Sequence, residues 1–390
     1  MSLKSIFPAA CLFAAALLLL ASPHALSANG GSGERSTIGS GADSITVVTV
    51  SGTPYEMGLW EGKLLAPEIS GCLSHMMNAV PGAETLLDEG VKILWPYVPD
   101  RYTQELQGMA DGCAQAGHPE VTFQALQRLA AVADVSELGC SLYVAFGKAT
   151  ANGHTYQMRN LDWSMEVGAQ DYPVITVYKP DTGHGYVNVG FAGLTGCIAG
   201  MSDIGIAASE IMGNYWDSES LNGFPFPLLL RYAMEEADNL DEAVSVLQNA
   251  KRTNDYHYAL CDPQAGGNGT VLFTGPNVFV RLTPGQPLDN YPGLAAPWNL
   301  KKPYYEPLND VVYWKNHNGS GNELLHGYIL SRYGSIGDEE AVQIARDSGT
   351  DGTVMSVVYD ATDLELWASF AEGPTTPAQF RQYAHLKLER

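Results

Sequence analysis

The sequence predicts an α+β fold in which helices cover β-sheets, and three observations carry the prediction. Of 390 residues, 45% are hydrophobic and 10% aromatic, enough to bury a large core and too many for a disordered chain. Up to Gly139 the apolar spacing is mostly helical; beyond it the chain turns to short β-rich runs. Those runs come as hairpins with paired helices between them, the pattern of layered α+β domains. Length allows one large domain or several smaller ones.

The elements follow in chain order. Residues 1–28 carry Lys4, an apolar stretch from Ala9 to Ala21 and then Ser27-Ala28, the layout of an export signal cleaved after one of those two residues. The apolar run falls short of the ~20 residues needed to span a bilayer, so a secreted, periplasmic or cell-surface protein is expected. Residues 29–43 are rich in Gly and Ser and read as a flexible linker. Ser44 to Val50 reads as a strand. Helices follow, among them Gln104 to Ala116 and Val121 to Leu138, the latter opened by Pro119. Past Gly139, strands are expected at Cys140 to Phe146, His154 to Met158, Val174 to Tyr178, Tyr186 to Val189 and Ile204 to Ser209. Two helices interrupt, Phe226 to Ala237 and Leu240 to Lys251, the second capped by Asn239. Strands resume from Tyr258 onward, with helices near Leu324 to Tyr333 and Glu339 to Asp347.

Twenty-one Lys and Arg against 43 Asp and Glu give a net charge of -22, which repels nucleic acid and anionic lipid; neither is expected as a partner once the signal is removed. Cys11 lies in the signal, leaving Cys72, Cys113, Cys140, Cys197 and Cys261. In an oxidising compartment that odd number allows disulfides among four and one free thiol, or else several are buried small hydrophobes. No C-x-x-C or H-E-x-x-H pattern occurs, so no metal is expected. Gly190 to Gly196 lacks dinucleotide spacing, and Gly200 to Gly205 has one residue too many for a serine-hydrolase elbow; no cofactor is called for.

The chemistry concentrates around Gly139-Cys140-Ser141, followed by Asn152-Gly153 and then Arg159-Asn160-Leu161-Asp162-Trp163. Asn-Gly between apolar runs signals a hairpin. A strict register about that turn pairs Tyr143 with Asp162 and leaves Cys140 about 10 Å further along, so a bulge or a longer connection is required. Alternation also puts Arg159 and Asp162 on opposite faces. Their plain reading is a surface ion pair, and that of Asn160 a turn or sheet-end residue.

Together with Gly52-Thr53-Pro54-Tyr55-Glu56-Met57-Gly58 and the Glu105 to Gly112 segment, these motifs resemble amino-terminal-nucleophile hydrolases of the isopenicillin N acyltransferase type. More distantly they resemble bile-salt hydrolases and acid ceramidase. The resemblance runs from about Ser44 to near the carboxyl end. It implies a four-layer αββα sandwich of two antiparallel sheets, and a precursor cut between Gly139 and Cys140. The leading segment 44–139 and the catalytic portion 140–390 would then stay associated. By the same resemblance Cys140 is the nucleophile and its freed α-amino group the base. Arg159 favours the thiolate, Asp162 accepts from the new ammonium, and Asn316 donates to the oxyanion. Glu210 and His317 are weaker, substrate-binding candidates. The sequence departs from the family pattern at Gly349 to Gly352, where an Arg is missing and Arg346 is nearest. Its Asn just beyond Glu210 is also unmatched.

The expected function is a secreted, self-cleaving hydrolase or acyltransferase acting on amide bonds of a small N-acyl substrate through a Cys140 thioester. Two other readings stand beside it: an unprocessed cysteine hydrolase pairing Cys140 with His317, and a non-catalytic binding module on the same fold. The aromatic-Pro clusters Phe224 to Pro227 and Trp298 to Tyr305 could line a cleft, or simply pack loops.

Overall fold

A computed structural model describes residues 30–79, 82–135, 139–213, 220–287, 305–315 and 319–389. The export-signal segment, Asn316, His317 and the cluster at 298–304 lie outside these residues. The chain opens with strands β1 (Ser32–Ile38) and β2 (Ile45–Gly52), then helices α1 (Pro54–Ala79), α2 (Ala83–Leu94), α3 (Asp100–Gln115) and α4 (Phe123–Val135). Strands β3 (Gly139–Ala145), β4 (Tyr156–Asp162), β5 (Pro173–Pro180), β6 (Tyr186–Phe191), β7 (Ala199–Ser202) and β8 (Ala207–Met212) follow. Next come α5 (Phe226–Glu236), α6 (Leu240–Asn249), β9 (Tyr256–Asp262), β10 (Asn268–Thr274), β11 (Phe279–Leu282) and β12 (Val311–Lys315). The chain ends with α7 (Gly319–Leu330), α8 (Asp338–Ser348), β13 (Thr353–Asp360), β14 (Glu365–Phe370) and β15 (Ala384–Lys387).

The strands form two sheets, one in the order β1-β2-β5-β6-β7-β8-β9-β10-β11 and the other β12-β3-β4-β13-β14-β15. They stack face to face, β3 and β4 against β8, and β12 against β10. Helices α1, α5 and α6 cover the outer face of the larger sheet, and α7 and α8 that of the smaller, so the layers run αββα. One pair departs from the antiparallel expectation: β2 runs parallel to β5, because the whole helical segment and the β3–β4 hairpin intervene between them.

Strand β3 shows how the sequence produces this sandwich. Its alternate residues Cys140, Leu142 and Val144 enter the core between the sheets, while Tyr143 and Ala145 enter a second core under α7 and α8. With both faces buried, the strand reads as an apolar run interrupted only by Ser141 instead of an alternating one. The glycines of the two leading motifs have a packing role. A Cβ on Gly58 would lie 1.9 Å from the Glu105 carbonyl oxygen, and one on Gly108 would lie 2.0 Å from that of Tyr55. These positions let α1 and α3 cross backbone to backbone.

Several expectations are corrected. The segment read as a flexible linker contains β1, paired along its length with β2 and pinned by Trp60, whose Nε1 donates to the Gly31 carbonyl at 2.6 Å. An exposed edge strand needs no apolar alternation, so its Gly/Ser composition concealed it. Helix α4 starts at Phe123, with the Thr122 hydroxyl accepting from Ala125 N–H, and Pro119 stands before it. The expected strand over Ile204 to Ser209 is a turn followed by β8, with Gly205 at φ +90°. Asn239 caps α6 as expected, accepting from Glu242 N–H at 3.1 Å. Cys72, Cys113, Cys140, Cys197 and Cys261 are all buried free thiols, so the disulfide reading fails among the described residues. They fill the core as small hydrophobes.

Candidate active site

The connection between β3 and β4 is the longer kind that the Asn-Gly turn required, running over 146–155 with Gly153 at φ +76°. It sets Gly139 opposite Asp162 and Cys140 opposite Leu161. Cross-strand partners share a face, so Cys140, Leu161 and Arg159 point between the sheets, while Asn160 and Asp162 belong to the outer face. Arg159 and Asp162 are therefore not a surface pair. Arg159 is fully buried and reaches across the sandwich to β8: its Nε donates to the Glu210 carbonyl at 2.9 Å, and Nη2 lies 3.3 Å from both Glu210 Oε2 and Cys140 Sγ. Glu210, whose plain reading is a sheet-edge carboxylate, is instead wholly buried in mid-sheet. Among the described residues, Arg159 Nη1 and Glu210 Oε1 have no hydrogen-bond partner.

Charge explains the resting state. Burial pushes the Cys140 thiol up to about 12; Arg159 opposes this, and Glu210 and Asp162 add to it. Burial likewise lifts Glu210 to about 8, against the pull of Arg159 and with a push from Asp134. Near neutral pH the sulfur is thus a neutral thiol beside a fixed cation, and Glu210 readily holds a proton. A base close to the sulfur is needed before it can attack.

Asp162 sits at the end of β4, across the ladder from the Gly139–Cys140 peptide, with Oδ1 accepting from Thr353 Oγ1 at 2.6 Å. Thr353 carries no motif signal of its own. Asn160 is a buried mid-strand residue, not a turn residue. Its Nδ2 donates to the Ala345 carbonyl at 2.9 Å and Oδ1 accepts from Ser356 Oγ, tying α8 to the sheet. Lys315 holds the end of β12, the residue before Asn316, through Nζ to the Ser348 carbonyl and its own N–H to Asn322 Oδ1. Arg346 is committed elsewhere, donating to the Gln379 carbonyl with its guanidinium over Tyr383.

Beside Leu161 lies an apolar cavity of about 30 Å³, walled by Ala130 and Ala133 of α4 with Leu161, Trp163, Phe191 and Ile198. Pro227 of the aromatic-Pro cluster also lines it, and Phe226 packs in the core. Far along the hairpin, His154, Asp360 and Asp363 bring ligand atoms within 4.8 Å of one another. There His154 Nδ1 bonds Asp360 Oδ2, Asp360 Oδ1 accepts from the Thr362 and Asp363 N–H groups, and Lys387 stands 4.0 Å from Asp363. These atoms already serve the turn, and we assign them no metal.

Residues 149–278, which carry Arg159, Asp162 and Glu210, match the family described as acyl-coenzyme A:6-aminopenicillanic acid acyl-transferase. This match supports an enzyme of amide hydrolysis or acyl transfer. Among curated proteins, the chain is 26% identical to protein dcd1A of Dictyostelium discoideum, covering 88% of this chain and 85% of that protein. Among solved structures it is similar to the Caenorhabditis elegans N-acylethanolamine-hydrolyzing acid amidase ortholog, with TM-score 0.42 and 14% identity over 64% of this chain and all of that one. It is also similar to penicillin V acylase from Agrobacterium tumefaciens, with TM-score 0.38 and 16% identity over 60% of this chain and 84% of that one.

Proposed function

We propose that this chain is an exported precursor that severs itself between Gly139 and Cys140 and then hydrolyses, or transfers the acyl group of, small N-acyl amides through a thioester on Cys140. The observation that carries the reading is the position of Cys140. Its sulfur is buried near the start of a central strand, 3.3 Å from a buried Arg159 whose Nη1 has no hydrogen-bond partner among the described residues, and the adjoining peptide faces Asp162.

In the first stage the thiol attacks the Gly139 carbonyl carbon. A C–S bond forms, the Gly139–Cys140 C–N bond breaks, and the thiol proton ends on the departing amine. Water then cleaves the thioester, leaving a Gly139 carboxylate, a free thiol and a free α-amino group. That amine, with an ordinary pKa of about 7.7 to 8.0, is the base that the resting site lacks. In turnover it takes the thiol proton while sulfur attacks the substrate carbonyl, and Asp162 accepts a hydrogen bond from the resulting ammonium. Arg159 steadies the thiolate. Asn316, lying outside the described residues, keeps its role as oxyanion donor by resemblance alone. The apolar cavity beside Leu161 supports an apolar acyl group.

Buried ion pairs between Arg231 and Glu105, at 2.6 and 2.7 Å, support lasting association of the two chains, because they join residues on opposite sides of the cut. Amino-terminal sequencing of the mature protein tests the reading. Two starts are expected, one after the export signal and one at Cys140; a single start contradicts self-cleavage.

A further inference from the structure

Asp134 is the last acidic residue described before the Gly139–Cys140 peptide, and it is 3% exposed. Four hydrogen bonds hold it. Its Oδ1 accepts from Thr253 Oγ1 at 2.7 Å, from Tyr256 Oη at 3.3 Å and from the Phe226 N–H at 3.4 Å. Its carbonyl accepts from Asn254 Nδ2 at 2.8 Å. The Phe226 N–H belongs to the first turn of α5, an end that favours an acceptor or a negative charge. All four donors lie in the portion 140–390, whereas Asp134 itself lies in the leading segment. Its second oxygen is buried with no hydrogen-bond partner among the described residues.

The neighbours of Asp134 give this clamp a consequence. Ala130 and Ala133, on the same turns of α4, wall the apolar cavity beside Leu161, the residue paired with Cys140. Five positions further on stands the Gly139 carbonyl that the thiol must reach. Reaction rates fall steeply when reacting atoms are misplaced, by roughly 10²-fold per Å in well-oriented sites.

Resting on the self-cleavage reading, we propose that Asp134 is a positioning residue: its carboxylate anchors the end of α4 to β9 and α5, setting the Gly139 carbonyl over Cys140 Sγ before the cut and holding the α4 wall of the acyl pocket after it. The role needs an acceptor oxygen at Oδ1 and does not need charge.

The test uses the full-length protein and the variants Asp134→Asn, Asp134→Ala and Thr253→Val, together with a series of N-acyl amides of increasing chain length. Three quantities are read: the rate of appearance of the chain beginning at Cys140, kcat, and KM for each amide. Asp134→Asn is expected to match the unsubstituted protein within about twofold, since its amide oxygen accepts the same bonds. Asp134→Ala is expected to process at least about tenfold more slowly, and once processed to raise KM for the longer apolar amides while kcat holds. Thr253→Val, which removes only the shortest bond, should fall between them and keeps the test open if Asp134→Ala does not fold. Folded Asp134→Ala or Thr253→Val protein with unaltered processing and unaltered KM overturns the proposal, as does an Asp134→Asn variant as slow as Asp134→Ala. If the unsubstituted protein stays a single chain, the self-cleavage reading fails, and the KM series alone decides the role of Asp134.

Discussion

Among the described residues two arginines, Arg159 and Arg231, lie wholly inside the molecule, and their surroundings differ in a way that separates architecture from chemistry. Arg231 has every nitrogen engaged: Nε with Glu235, Nη2 with Glu105, and Nη1 with Glu105 and the Thr195 carbonyl, at 2.6 to 3.0 Å. Its guanidinium also stacks over Tyr102, Tyr178 and Tyr186 at 4.6 to 4.9 Å. Arg159 meets the carboxylate and the backbone carbonyl of Glu210 and one sulfur, and among the described residues both Nη1 and Glu210 Oε1 are left unpaired. A buried polar network is stable when complete and costly when partial, and the incomplete one adjoins a thiol. Burial and charge are common to both arginines; contact with the Cys140 sulfur is what sets Arg159 apart.

Substitutions can break that contrast. The largest expected effect is that of Arg231→Met, which strands Glu105 in the core, leaves Glu235 with Arg101 and Tyr102 alone, and should cost about 3 to 5 kcal/mol in chemical denaturation. A loss below about 1 kcal/mol would erase the architectural half of the comparison. Next is the pH response of the same region. Glu61, whose Oε2 accepts from Tyr178 Oη at 2.8 Å, is pushed up to about 7 by burial and by the charge of Glu105. A carboxyl raised in the folded state binds its proton more tightly there than when unfolded. Its stabilising contribution is therefore whole below about pH 4.5 and is lost as pH rises through 7, on the order of 3 kcal/mol by pH 8. Glu61→Gln should flatten that slope in melts taken between pH 5 and pH 8.

The chemical half is sharpened by Arg159→Met. We expect activity to drop about 10²-fold or more, while stability falls only ~1 to 2 kcal/mol, because Glu210 can take up a proton when its cation is lost. A variant that unfolds instead would make Arg159 a second Arg231. The smallest effect should come from Glu210→Gln: stability within about 1 kcal/mol of the unsubstituted protein near pH 7, since the carboxyl already lies at about 8, with activity reduced roughly tenfold.

Much of this arrangement is legible in the sequence, and the parts that are not have physical reasons. A β3–β4 hairpin, the need for a longer connection and the opposite faces of Arg159 and Asp162 all follow from strand geometry and are present, whereas the tight turn that Asn152-Gly153 signals is replaced by the connection over 146–155, in which Gly153 has positive φ and Asn152 does not. Glu210 stands out in the sequence only through the family resemblance, because its partner comes from the other sheet and no local spacing encodes a contact across a sandwich. Its one local signal is a carboxylate inside the apolar run of β8. Thr353 and Asp134 were invisible for the same reason: each acts on residues distant in the chain. The motif glycines at 58 and 108 were read as part of a family signature, whereas the contacts show them serving a helix crossing. Strand β1 escaped detection because a partly exposed edge strand carries no apolar period.

The account rests on one residue supplying both the sulfur and the amine. The most direct measurement is the denaturing mass spectrum of fully active enzyme, taken alone and after quenching during turnover of a slow N-acyl amide. Two masses should appear, summing to the exported chain plus one water, and on quenching the chain that begins at Cys140 should gain the mass of the acyl group. A single uncut chain with full activity, or an acyl group found on any other residue, would contradict it.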